Sequence, residues 1–193
     1  SSGHYYVVTG GKDVDMANSY INEIDPASGK LLRQLEVDSN HTEALRAEQH
    51  GDRIFVNLAD KNEVAVIDKK TFKIIAHWPI SGASANLCMA LDEAHHRLFI
   101  VTREPTKMFV LDTDSGKTVA TLDVPAIVDG VFYDAMRQRI YVPGAVGEVG
   151  VYQQDDADHY RELARVPSAE GGKSGLFVPG LDRLYVAGVT TRK

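Results

Sequence analysis

The chain is built from short apolar segments, none of which has the periodicity of a helix. Between residues 86 and 124, four such segments follow one another, and turn-forming Asp, Gly, Ser and Pro residues separate them. Segments of this length, rich in Val, Leu, Phe and Thr, are typical of β-strands joined by hairpins. The pattern therefore predicts one antiparallel unit of four strands.

The same unit recurs along the chain. An arginine followed by three apolar residues appears at intervals of about 42–44 residues, at positions 53–56, 97–100, 139–142 and 183–186. A second series, Asp25, Asp68 and Asp112, opens turns that close at a lysine five residues later. A period of 40–45 residues with four strands is the size of one β-propeller blade. Since one four-stranded sheet cannot bury both faces alone, neighbouring blades must pack face to face.

We therefore predict an all-β fold, a β-propeller made of four-stranded antiparallel blades, as a single domain over residues 1–193. About four to five blades are expected, with three, four, four, four and two strands in turn. Their approximate bounds are 4–37, 41–80, 86–124, 129–167 and 173–190. In a closed propeller, strands from both chain ends together complete one blade. Here the first blade has three predicted strands and the last has two, which do not add up to one blade of four. We expect an incomplete ring, or an open arc that self-associates through its bare strand edges.

The repeat resembles the bacterial YVTN-type, YncE-like β-propellers. The residues that carry the resemblance are RIFV at 53–56, VAVID at 64–68, MALDE at 89–93, LDTDSGK at 111–117 and LDRLYV at 181–186. The resemblance implies a seven-bladed protein, of which this chain is similar to the last four-plus blades. It also implies export to the periplasm or the cell exterior, and it brings no common catalytic motif; the sequence itself leaves the compartment unknown.

Composition narrows the function classes. Lys and Arg number 21 against 27 Asp and Glu, a net charge of −6, which disfavours binding to nucleic-acid phosphates. No segment approaches the roughly 20 apolar residues of a membrane-spanning helix, so no membrane span is predicted. The one cysteine, Cys88, excludes an intrachain disulfide and is interpreted as a small buried hydrophobe.

Two features of the sequence could indicate a metal site, the carboxylates of residues 112–116 and the histidines, and neither has the pattern of a known one. Alternate carboxylates in residues 112–116 (DTDSG) resemble a calcium loop, but the glycine is fifth and not sixth, and strands flank it. We interpret this segment as a hairpin turn in which Asp accepts local hydrogen bonds and Gly supplies positive φ. The seven histidines show no short ligand spacing. We predict no catalytic set, no metal site and no cofactor.

The candidate site comes from the repeat. Glu43, Asn86, Asp129 and Lys173 each lie ten or eleven residues before an arginine anchor, at the entry to an innermost strand. Equivalent positions should lie near one rim of the central channel, and a ring of polar groups there is a plausible ligand-binding surface. The alternative is that these residues only hydrate the channel mouth.

Three functional hypotheses follow. The first is a non-catalytic scaffold that binds a protein or a small ligand. The second is a lactonase-like, metal-assisted hydrolase that uses acidic channel residues. The third, implied by the resemblance to YncE-like proteins, is single-stranded DNA binding.

Overall fold

The computed structural model describes residues 3–188, and within them the chain is all-β. Seventeen antiparallel strands form five sheets of three, four, four, four and two strands, the counts that the repeat predicts. The first two sheets contain β1 (Tyr5–Gly10), β2 (Ser19–Ile24), β3 (Leu31–Val37), β4 (Thr42–Ala47), β5 (Arg53–Leu58), β6 (Glu63–Asp68) and β7 (Lys73–Pro79). The other three contain β8 (Ser84–Asp92), β9 (Arg97–Glu104), β10 (Thr106–Asp112), β11 (Thr118–Asp123), β12 (Phe132–Asp134), β13 (Arg139–Gly144), β14 (Glu148–Gln154), β15 (Tyr160–Pro167), β16 (Ser174–Val178) and β17 (Arg183–Ala187).

The chain divides into two compact units, residues 1–86 and 87–193. Helical structure in the described residues is limited to 3-10 turns at Lys12–Val14 and Pro179–Leu181, and no helix there is long and apolar enough to cross a bilayer. The fold is that of a β-propeller, as predicted.

In the first unit the sheets β1–β2–β3 and β4–β5–β6–β7 pack through one apolar core. Its buried members come from both sheets and are at most 6% exposed: Ile21, Val37, Ile54, Val56, Leu58, Ala65, Ile67 and Phe72. Tyr6 and Val8 of β1 pack against this core, while Tyr5 and Val7 on the alternate face are exposed. The period-2 alternation of β1 thus decides which of its side chains reach the core.

In the second unit, aromatic pairs join successive sheets. The rings of Phe99 and Tyr133 lie 5.4 Å apart, and those of Tyr141 and Phe177 lie 5.5 Å apart, distances that are favourable for aromatic packing. Cys88 is buried, with Sγ 3.7 Å from the carbonyl oxygen of Val128, in agreement with its interpretation as a small core residue.

The Asp series forms hairpin turns. Asp112 Oδ1 accepts hydrogen bonds from the backbone N–H of Ser115 at 2.8 Å and from that residue's hydroxyl at 2.7 Å, and Gly116 has φ of 71°. Asp68 accepts in the same way from the backbone and hydroxyl of Thr71. The DTDSG segment is therefore the hairpin turn that the sequence predicts, with its first carboxylate already serving as an acceptor.

The innermost strand of the fourth sheet is short. β12 has three residues, because the chain before it leaves the ladder: Ile127 has φ of 58°, and only Val128 pairs, with Gly144. A side chain at Gly144 would place its Cβ 2.4 Å from Cβ of Pro125, so the close approach depends on glycine. The predicted blade bounds stay a prediction, and the last two positions of the fifth, 189 and 190, lie outside the described residues.

Candidate ligand-binding site

An open cleft of about 370 Å³ lies in the first unit, where the ends of β1, β2 and β3 meet the turns that follow β4 and β6. We call it the turn cleft. Its lining is almost entirely polar: His4, Tyr6, Glu23, Arg33, Gln49, His50, Gly51, Asp52, Lys69 and Lys70. A concave surface with several converging polar groups is the kind of surface that binds small ligands.

A buried carboxylate forms the floor of the turn cleft. Glu23 is 2% exposed, and its oxygens accept hydrogen bonds from Nε of Arg33, from Nδ1 of His4 at 2.9 Å and from the Tyr6 hydroxyl at 3.1 Å. The hydrogen bond from Arg33 is the largest of the effects that lower the pKa of Glu23 to about 2. Glu23 is therefore ionised at neutral pH, and Nδ1 of His4 carries the proton that it donates.

Arg33 joins the floor to one wall of the cleft. Besides Glu23, its guanidinium donates to the carbonyl oxygens of Lys70 at 3.0 Å and Lys69 at 2.8 Å. It also lies over the ring of Phe72, 4.6 Å from the centroid, at a distance typical of a cation–π contact. The planar guanidinium uses all three of its nitrogens in protein contacts, so its orientation is fixed.

The two turns of the cleft are tied to each other. Nζ of Lys69 donates to the carbonyl oxygens of Glu48 and, at 2.8 Å, of Gly51. Lys70, which is largely exposed, pairs with Asp52 at 2.6 Å. The ammonium of Lys69 thus holds its own turn to the turn after β4, whereas Lys70 presents its ammonium to solvent at the cleft mouth.

The Glu23–Arg33 pair occupies a position that is apolar in the other repeats. Glu23 pairs with Arg33 across β2 and β3, and a β-bulge follows directly. The corresponding pairs in the next three sheets, each followed by the same bulge, are Val66 with Ala76, Val110 with Ala120 and Val151 with Ala164. Of these four sheets, the first thus has an ion pair at the position where the other three have a valine and an alanine.

Two of the sequence-predicted site residues lie in the first unit. Glu43, in β4, has Oε1 2.6 Å from Nε2 of His41, at the opposite end of that strand from the turn cleft. Asn86 is fully buried, and its side-chain amide donates to Oδ1 of Asn57 at 3.0 Å and to the carbonyl oxygen of Glu63 at 2.9 Å. Of these two, Glu43 can meet a ligand at the surface, whereas Asn86 is fully enclosed.

The other two are brought together in the second unit. The carboxylate of Asp129 lies 2.7 Å from Nζ of Lys173 and 2.5 Å from Nη2 of Arg103. Repeat spacing predicts Asp129 and Lys173 as site residues, because each lies about ten residues before an arginine anchor. It does not predict Arg103, which lies six residues after its anchor. No group of three or more His, Cys, Asp or Glu side chains within residues 3–188 is arranged to hold a metal ion.

Known proteins support the fold and the resemblance. The chain is 27% identical over 122 residues to the protein of Salmonella typhi described as "Uncharacterized protein YncE", and 26% identical over 122 residues to the protein of that description in Salmonella typhimurium strain LT2. Both matches cover 62% of this chain and 34% of the relative, so the chain spans about a third of the length of these relatives. The chain is thus similar in sequence to these YncE proteins, and its fold is a β-propeller.

Structural similarity agrees with this assignment. A WD40-type propeller in the crystal structure of the mitotic checkpoint complex matches with a TM-score of 0.68 at 11% identity, covering 97% of this chain and 73% of that one. No protein-family model matches the sequence. At this identity the structural match shows the fold of the chain and does not identify what it binds.

Proposed function

We propose that the chain is a non-catalytic β-propeller scaffold that binds a small polar ligand in the turn cleft. The observation that carries the proposal is the ion pair between the buried Glu23 and the partly exposed Arg33, which stands where three other repeats have Val and Ala. A buried ion pair is often no more stable than apolar residues of similar volume. Three repeats fold with the apolar pair, so the polar pair is better explained by ligand binding than by folding.

The chemistry of the lining favours binding over catalysis. Glu23 accepts three hydrogen bonds, and its pKa of about 2 keeps it ionised, whereas a general acid or base works best with a pKa near the operating pH. The ammonium of Lys69 donates to two carbonyl oxygens. The lining residues include no Ser, Thr or Cys. What the cleft offers is a set of oriented donors and acceptors.

The ligand chemistry follows from the groups at the mouth. Within residues 3–188 the ammonium of Lys70 has one hydrogen-bond partner, Asp52, and both side chains are more than half exposed. An acidic group on a ligand can replace Asp52 there at little cost, because exposed ion pairs contribute little to stability. We therefore expect a small polar ligand that carries a carboxylate.

A variant that restores the pair of the other repeats tests the proposal. A panel of small hydroxy acids, amino acids and sugar acids is screened by ligand-observed NMR against the natural chain and against the double variant E23V/R33A. The control is D38A/K61A, which removes an ion pair of the first unit outside the turn cleft. We expect binders that are retained by the control and lost in E23V/R33A. An absence of binders to the natural chain, or equal binding to E23V/R33A, would overturn the proposal.

The two other hypotheses stay predictions with direct tests. Thermal shift with calcium and metal analysis of the purified chain test the hydrolase. A salt titration of oligonucleotide binding tests single-stranded DNA binding. Light scattering tests the predicted self-association.

A further inference from the structure

Asp129 and the two cations that contact it form a charge cluster that shares no residue with the turn cleft. In the second unit, one carboxylate lies between two cations: Oδ1 accepts from Nη2 of Arg103 at 2.5 Å, and Oδ2 lies 2.7 Å from Nζ of Lys173. The backbone N–H of Asp129 also donates to the carbonyl oxygen of Lys173 at 3.3 Å. Lys173 is thus placed by a main-chain and a side-chain contact together. We call Arg103, Asp129 and Lys173 the Asp129 cluster.

The carboxylate is held in its charged form. Burial alone would raise the pKa of Asp129, but the hydrogen bonds from Lys173 and Arg103 outweigh that effect and keep the pKa below its usual value. The three side chains therefore carry a net charge of one positive unit. The neighbouring pair of Lys107 with Asp123, at 2.9 Å, has the same kind of contact but no net charge.

The cations keep hydrogen-bonding capacity that the protein does not use. Among the described residues, Arg103 donates only through Nη2, so Nε–H and both N–H groups of Nη1 remain for another acceptor. The ammonium of Lys173 has a single partner there, Asp129. Both side chains are partly exposed, 44% for Arg103 and 39% for Lys173, while Asp129 is 28% exposed. One carboxylate thus holds two cations close together with donors still open to solvent.

We propose that Arg103 and Lys173 bind an oxyanion, a carboxylate or a phosphate group, on the solvent side of Asp129. Arginine and lysine are the residues that recognise these groups, arginine through its planar fork and lysine as a point charge. Because Asp129 already holds the two cations near each other, an incoming anion meets a preorganised pair, which reduces the ordering cost of binding. This site is independent of the turn cleft and of its ligand.

The experiment titrates the ¹⁵N-labelled chain with sodium phosphate and, separately, with sodium acetate, each at constant ionic strength against chloride. The signals followed are the Nε–H of Arg103 and the backbone amide of Asp129. We expect saturable shifts with at least one of the two anions. Saturable shifts with phosphate but not with acetate would identify a phosphate site. Saturable shifts with acetate, whether or not phosphate also gives them, would identify a site that accepts carboxylates.

Variants separate a built site from general charge attraction. R103Q and K173Q each remove a charge-assisted hydrogen bond, so we expect binding to weaken about tenfold or more. K107Q is the matched control, since Lys107 is also 39% exposed and paired with an aspartate, and it should change binding less than about twofold. K173R keeps the charge and should retain binding, which covers the case in which a glutamine variant is poorly folded. No saturable shift in the natural chain, or equal losses in R103Q, K173Q and K107Q, would overturn the proposal.

Discussion

Glu23 and Arg33 face each other across β2 and β3 at the register position that Val66 and Ala76 occupy across β6 and β7. The two pairs share the bulge that follows them and the Asp turn two residues further on, but they differ in chemistry. The apolar pair contributes to a core, whereas the ion pair makes four further hydrogen bonds in the turn cleft: His4 and Tyr6 donate to the carboxylate, and Arg33 donates to the carbonyl oxygens of Lys69 and Lys70. The repeat thus serves as an internal control for what the ion pair does.

The first prediction concerns the cost of breaking this pair. R33A leaves the Glu23 carboxylate buried without its strongest partner, and we expect a loss of roughly 2–4 kcal/mol in the free energy of unfolding, less than for a fully buried pair because Arg33 is partly exposed. E23V/R33A should recover most of that loss, because it restores the Val–Ala pair. Urea unfolding followed by circular dichroism measures both. A double variant as unstable as R33A would show that the pair is needed for folding and would remove the argument for a ligand site.

The second prediction concerns acid stability. The pKa of Glu23 falls from 4.5 to about 2 on folding, so the folded state favours the ionised form. The sign of the effect follows: this contribution is fully present above about pH 4.5 and is lost as pH falls toward 2. Melting temperatures measured between pH 2 and pH 6 should fall more steeply for the natural chain than for E23V/R33A. Parallel curves for the two proteins would contradict the assignment of Glu23 as a paired carboxylate.

The third prediction concerns Asn86, the predicted site residue that is fully buried. Its amide donates to two oxygens, so N86A leaves both without that donor and should cost about 1–3 kcal/mol. N86D places a carboxylate oxygen against the same two acceptors and should cost more than N86A. Chemical denaturation of the two variants gives the order. If N86D were as stable as the natural chain, Asn86 would have to reach solvent, and its place in a ligand-binding rim would regain support.

The architecture could be predicted from the sequence because it depends on local patterns that repeat. Strand position follows from apolar segments between turn formers, and Asp112 with Gly116 marks a hairpin because both act within five residues. The turn cleft could not be predicted in this way, since it needs Glu23 and Lys69 to meet from different sheets. Its signal was nevertheless present: Glu23 precedes Asp25 by two residues, as Val66 precedes Asp68, so a charged residue at an apolar repeat position marked the site.

The rim residues show the limit of spacing as a guide. Counting back from the arginine anchors finds equivalent places in the chain, but it does not determine where the side chain points or what it contacts. Asn86 is enclosed, whereas Asp129 bonds to Lys173 and to Arg103, a residue that the count does not reach. Alternation decides orientation in a strand, and a shift of one residue exchanges the two faces.

The last prediction concerns the two Asp turns that the calcium interpretation would treat differently. Asp112 accepts from the turn through Oδ1 and from Nη1 of Arg97 through Oδ2 at 2.7 Å, whereas the donors to the Asp25 carboxylate, among the described residues, all belong to its own turn. D112A should therefore destabilise the chain more than D25A, by about 1–3 kcal/mol, because it also leaves Arg97, only 9% exposed, without one of its carboxylate partners. Thermal melts of both variants, each with and without millimolar calcium, make the comparison. Calcium should leave the melting temperature of the natural chain unchanged, because the turn donors and Arg97 already occupy both oxygens of the Asp112 carboxylate. If calcium raised the melting temperature of the natural chain but not that of D112A, the interpretation of this segment as a simple turn would be wrong and Asp112 would be a calcium ligand.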